Sequence, residues 1–266
     1  MQASFADLRA AKQLLWAMSF NSFMHPPSYL VSHTSYLISV FSACICRLLF
    51  YGVIVMLYLY MALVILLSLL VSLGGSRWVD RLYEQNRDIL TFPDAIQPRS
   101  RWRKPAVAIL FAILGIRYLF ITSGLPLALM LAGTALLLLM MMTDFEQYCL
   151  FDQMMLCFAV GGLACSAIAG MDMHRVIAAV AGGAVFLLIS ILTRGALGGG
   201  DIKLIACLGL WFGPGPLLMI SFFGILTGGI SALFMLLMGK KKRKSAFAYG
   251  PYFIIGALGW MSIYGI

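Results

Sequence analysis

Residues 52–73, GVIVMLYLYMALVILLSLLVSL, carry no charge and run unbroken for the length of a bilayer core. A helix crosses that core with about 20 apolar residues, and in hydrocarbon only helices and closed barrels satisfy every backbone amide. One such run forces a membrane helix. Others follow at 106–122 and 125–142, separated around Thr122, Ser123 and Gly124 and interrupted only by Arg117, then at 153–170 and 176–193 across Met171–Arg175. A shorter run, 202–213, stops at Gly213-Pro214-Gly215-Pro216; a long one then reaches Met238, and a last stretch covers 246–266. The expected fold class is all-α, a polytopic membrane bundle of about eight transmembrane helices.

Composition agrees: of 266 residues 62% are hydrophobic and 11% charged, with mean hydropathy +0.96, against about 25% charged in soluble domains. A soluble enzyme, a disordered chain and a disulfide scaffold are excluded; the six Cys are irregularly spaced, fall mostly within spans and read as small apolar filler. The net charge of +9 reads as topology rather than nucleic-acid binding. Loops retained in the cytoplasm collect Lys and Arg. The segment from Arg77 to Lys104 holds seven bases, Arg194 and Lys203 add two, and Lys240–Lys244 adds five, against Arg175 alone on the other side. These three regions are expected in the cytoplasm. Alternation of spans puts Thr143–Asp152 there too, although it holds three acids and no base.

The expected organisation is an N-terminal segment of unassigned role (1–50), a first transmembrane helix (51–75), a cytoplasmic loop (76–105) and a membrane domain (106–266). Segment 1–50 lacks the basic start, clean apolar core and small-residue cleavage site of a signal peptide. It reads as an extracytoplasmic tail, an interfacial segment, or sequence upstream of an internal start such as Met56.

Ten acids occur in the chain. Asp7, Asp80, Glu84, Asp88 and Asp94 fall in the tail or the polar loop, where solvated charge explains them, and Asp172 falls in the opposite turn. Asp144, Glu146, Asp152 and Asp201 stand at the cytoplasmic ends of apolar runs, where a carboxylate is costly and marks function. Asp152, just before a helix, also fits a helix-start acid. Asp144 closes the run MLAGTALLLLMMMT; Asp201 follows Gly198-Gly199-Gly200 and precedes Lys203 by two. Three glycines let backbone approach closely. A phosphate loop would set Lys directly after Gly, with Ser or Thr next; here an acid follows and repels phosphate. The three His, at 25, 33 and 174, lie away from these acids, so no Ser or Cys there has a His base and no zinc spacing occurs. Two carboxylates on separate spans point instead to aspartyl chemistry, in which a facing pair shares one proton.

Thr143-Asp-Phe-Glu-Gln-Tyr-Cys-Leu-Phe-Asp152 resembles the first motif of the bacterial type IV prepilin peptidases, Asp-x-Asp/Glu followed by an apolar residue and Pro-Asp, with Phe151 in place of the common Pro. Gly198-Gly-Gly-Asp-Ile-Lys203 is similar to their second, Gly-x-Gly-Asp-x-Lys. The similarity runs on through LIACLGLWFG and at Tyr249-Gly-Pro251, covering roughly residues 100–260. The resemblance implies a membrane aspartic endopeptidase with Asp144 and Asp201 as catalytic pair. It makes Glu146, Asp152, Gly198, Gly200 and Lys203 supporting residues, with no metal or cofactor. It implies a prepilin or pseudopilin substrate trimmed of its basic leader after Gly, at the cytoplasmic face of the inner membrane, with lipid as the other partner and no nucleic acid. Longer members hold zinc on Cys-x-x-Cys pairs in the first loop, whereas residues 77–104 contain no Cys. Members also carry a Gly-Ser-Phe-Leu-Asn-like segment where this chain has Gly75-Ser-Arg-Trp-Val-Asp-Arg-Leu82. Both departures argue against the family's second activity, N-methylation of the trimmed pilin by S-adenosylmethionine. A transporter or assembly factor using intramembrane acids, or an inactive relative, is the alternative; a transporter would favour acids near mid-span, and here they sit at span ends.

Overall fold

In the computed structural model residues 27–238 and 248–266 are described, except 169, 171, 194 and 196, with side chains from Tyr51 onward save 53 and 236. The basic block at 240–244, Arg194, Asp7 and His25 lie outside the described residues, as do the side chains of His33, Cys44 and Cys46. The chain divides into two compact units, 1–59 and 60–266. Among the described residues all regular structure is helical: α1 (Pro27–Gln85), two single 3-10 turns (Arg87–Ile89, Pro93–Ala95), α2 (Ile96–Ser100), α3 (Arg103–Leu119), α4 (Gly124–Gln147), α5 (Asp152–Ile168), α6 (Met173–Leu192), α7 (Gly199–Phe212), α8 (Pro214–Leu237) and α9 (Gly250–Tyr264).

Four of these helices have the length and apolarity of a crossing: Ile54–Gln85 within α1, α4, α6, and α8 over Pro214–Met235. About eight were expected. The difference lies in α3 and α5 with 17 residues each, α9 with 15 and α7 with 14. At 1.5 Å per residue α7 reaches only about 21 Å, short of a core of about 30 Å.

The first expected span ends near 75, yet α1 continues through the charged segment to Gln85. Its reason is a buried stripe at helical spacing, Val64, Ser68, Ser72, Ser76, Val79, Leu82 and Tyr83, which gives the helix a face to pack after the apolar run has ended. Small residues beside and opposite that stripe admit neighbours: a Cβ on Gly75 would strike Leu139 of α4, and one on Gly115 of α3 would strike Val64.

α7 is packed by α5, α6, α8 and α9. Its buried Trp211 stacks on Phe158 at 5.0 Å and donates from Nε1 to the Phe158 carbonyl at 2.7 Å. Gly133, Gly161 and Gly162 line the slot that receives the indole. Gly209 lies so close to α6 that a Cβ there would come within 2.6 Å of the Ala179 backbone. In a membrane such small residues drive association, because backbones can then meet in van der Waals contact. Gly213, at φ +76°, breaks the chain between α7 and α8, and Pro214 starts the next helix.

Candidate active site

Asp144 occupies the last turn of α4 and Asp201 the first turn of α7, and both are buried. α4 stops there because Tyr148 turns left-handed (φ 53°, ψ 37°) and its N–H closes on the Asp144 carbonyl at 3.0 Å, an αL cap normally given to Gly. α7 starts at Gly198, extended at φ −70° and ψ 151°, so two of the three glycines form its first turn. Gly200 faces Leu150 of the α4–α5 connection, where an added Cβ would lie 3.1 Å from the leucine Cβ. The glycine run therefore brings the two motifs into contact.

The carboxylates meet across Gly250, the first residue of α9. A Cβ on Gly250 would sit 2.5 Å from Asp144 Oδ2 and 3.3 Å from Asp201 Oδ1, so these oxygens are at most 5.8 Å apart. The Gly250 amide is directed at both carboxyl groups, and the Gly198 amide at Asp201 as well. Asp144 Oδ2 nevertheless has no hydrogen-bond partner of normal geometry among the described residues. Burial pushes the Asp201 carboxyl up to about 6, while the Gly198 and Gly250 amides pull it the other way. Among the described residues no group of three or more His, Cys, Asp or Glu gathers as metal ligands.

The other expected residues fall elsewhere. Glu146, two positions beyond Asp144 and so on the opposite side of the helix, points at α1 and α3. Its Oε2 accepts from Tyr83 Oη and from Arg103 Nη1, both at 2.9 Å. Asp152 and Lys203 pair with each other at 2.6 Å across the two motifs, with both side chains more than half exposed. Cys149 lies between the motif acids, and burial first, then Asp144 and Asp152, raises its thiol above the ordinary range, the reverse of what a nucleophile needs.

Several members of this region are not legible as motif residues. Arg103 also binds Asp80 and donates from Nη2 to the Ser76 carbonyl at 3.4 Å. Arg99 donates to the Glu146 carbonyl at 2.7 Å and lies over the Phe92 ring. The Gln147 amide clamps the Phe92 backbone from both sides. The helical spacing of Val79, Leu82 and Tyr83 was the available signal for α1's part. Two clefts of about 500 Å³ flank the acids, one beside Arg99, Trp102, Arg103 and Glu146, the other beside Asp152, Met155, Lys203 and Cys207; neither is lined by Asp144 or Asp201.

Residues 130–233, which include both acidic motifs, match the model of the type IV leader peptidase family. The chain is 29% identical over 155 residues to a prepilin leader peptidase/N-methyltransferase of Bacillus subtilis, an alignment covering 57% of this chain and 60% of that protein. It is 29% identical over 169 residues to the proteins of the same name from Aeromonas salmonicida and Aeromonas hydrophila, covering 60% of this chain and 57% and 58% of theirs. The match thus spans under two thirds of the length of these curated relatives. No solved structure matches. The resemblance read from the two motifs is borne out.

Proposed function

We propose that this chain is a membrane aspartic endopeptidase that removes the basic leader of type IV prepilins or pseudopilins, cutting after Gly at the cytoplasmic face of the inner membrane. The observation that carries the reading is the convergence of Asp144 and Asp201, from separate helices, on Gly250. Two buried carboxyl groups that close cannot both ionise readily, so the pair holds one proton. The ionised member takes a proton from water as the water oxygen bonds to the scissile carbonyl carbon. The protonated member gives its proton to the carbonyl oxygen. Collapse of the tetrahedral species breaks the C–N bond as the proton taken from water passes to the leaving nitrogen, and the hydroxyl made from the carbonyl oxygen returns its proton to the second carboxylate as C=O re-forms, which restores the shared proton. Gly198 and Gly200 allow the close approach of backbone on which this depends, and the exposed Asp152–Lys203 pair ties the two motifs at the site's edge.

The relatives' printed name includes N-methyltransferase. The absence of Cys in 77–104 and the altered Gly75–Leu82 segment favour trimming without methylation in this chain. The test is incubation of detergent-solubilised protein with a panel of prepilins, followed by N-terminal sequencing and mass spectrometry. Release of a mature pilin beginning after the leader Gly, with an unmodified amine, is expected. Intact prepilin throughout the panel would refute the protease reading. A product about 14 Da heavier, dependent on added S-adenosylmethionine, would refute only the statement on methylation.

A further inference from the structure

The buried guanidinium of Arg103 lies outside both motifs, yet it joins Glu146 of α4 to Asp80 and the Ser76 carbonyl of α1. It is the first residue of α3, a position where the helix dipole disfavours a cation, and it is 2% exposed. Local helix energetics do not explain a charge there. Its partners do: Nη1 donates to Glu146 of α4, while Nη2 donates to Asp80 and to the Ser76 carbonyl of α1. Tyr83 of α1 adds a second donor to the same Glu146 oxygen.

The two contacts to Glu146 fasten the last turn of α4 from the side away from Asp201, and those to Asp80 and Ser76 anchor Arg103 itself on α1. Arg99 and the Gln147–Phe92 clamp fasten the same turn from the polar segment. Asp144 lies on that turn, and its carboxyl group must stay within reach of Asp201 and Gly250 for a shared proton to exist. A misplacement of about 1 Å at a reacting group can cost about 100-fold in rate. A forked donor that grips two acids on two helices fixes both the height and the rotation of the turn, which a point charge on a flexible stem does only in part.

We propose that Arg103 is a positioning residue for the peptidase site: through Glu146, Asp80 and Tyr83 it locks the end of α4 so that Asp144 faces Asp201. This rests on the proteolytic reading above, so its test includes a measurement that needs no activity. In a variant freed of its native Cys, Cys placed at 144 and at 201 should be joined by a short bifunctional thiol reagent. Arg103→Gln added to that background should lower the yield at least threefold, with Arg103→Lys between the two. In the otherwise native enzyme Arg103→Gln should lower kcat for prepilin about 100-fold, Arg103→Lys should recover part of it, and KM should stay within twofold.

Unchanged crosslinking in Arg103→Gln overturns the proposal, whether or not any pilin is cleaved. So does a kcat loss that Arg103→Lys fails to relieve, or one matched by an equal loss of folded, membrane-inserted protein. Absence of cleavage by the wild-type chain, with crosslinking sensitive to Arg103, would instead refute the proteolytic reading and leave the positioning role standing.

Discussion

Two acids two residues apart on one helix receive opposite treatment. Glu146 is given a guanidinium and a phenol on a single oxygen, whereas Asp144 is given a second carboxylate and one shared backbone amide. Both are almost fully buried, so burial alone does not tell them apart. A buried charge with a matched counter-charge is part of the framework; a buried charge set against its own kind is held at a cost, and such arrangements cluster where chemistry is done.

Loss of either member of the under-compensated pair should have the largest effect. Asp144→Asn and Asp201→Asn should each abolish prepilin cleavage while insertion into the membrane persists, and the double variant should be no worse than either single one, because the two act as a unit. Measured turnover in a reconstituted assay decides this; appreciable cleavage by a single variant would put the two acids back on one footing with Glu146.

Gly250→Ala should follow, since the added methyl would contend for the space between the two carboxyl groups, 2.5 Å from Asp144 Oδ2. A fall in kcat of at least tenfold is expected, with Glu146, on the far side of the helix, undisturbed. Full activity in this variant would show that the carboxyl groups do not meet where Gly250 stands.

The sequence carried one half of this contrast well. Asp144 and Asp201 stand out because each interrupts or borders an apolar run, and the flanking glycines mark close approach. The helix boundaries from α4 to α9 lie within a few residues of the apolar runs. Arg103, Asp80 and Tyr83 could not be paired with Glu146 from the sequence, because their partners lie 23 to 63 positions away and a polar segment with charges of both signs reads first as solvated loop. The Val79, Leu82, Tyr83 stripe was present in that segment, but its neighbours Asp80, Arg81 and Glu84 outweighed it in any reading by composition.

A smaller effect concerns stability. A carboxyl group that is harder to ionise when folded binds its proton more tightly in the folded state, so its burden on stability is absent below the ordinary carboxylate range and grows as pH rises through about 6. Asp201→Asn removes that burden. Its unfolding midpoint in detergent should exceed that of the wild type by a few degrees at pH 8, and the gain should vanish near pH 4. A loss of stability at pH 8 would mean that the ionised carboxylate is compensated after all.

The smallest effect belongs to the ion pair between the motifs. Both Asp152 and Lys203 are well exposed, and such pairs contribute about 0–1 kcal/mol. Lys203→Met should shift the unfolding midpoint by no more than about 2 °C, and salt should erase the difference. A large, salt-insensitive loss would place this pair with the buried cluster of Arg103 rather than at the rim.

The contact at Gly209 bears on how a long peptide could gain the dyad at all. With glycine on α7 lying against the Ala179 backbone, the two helices meet there with no side chain between them, and the small Gly182 and Gly183 of α6 take Ile205 and Ala206 of α7 closely as well, so α7, which carries Asp201 in its first turn, is held hard against α6. Any breathing that admits a strand of substrate must therefore come from the remaining neighbours of the dyad. α9 is one of these: it delivers Gly250 between the two carboxyl groups, and Phe253 on it and Tyr249 at its cap seat their rings on Gly224 and Gly228 of α8.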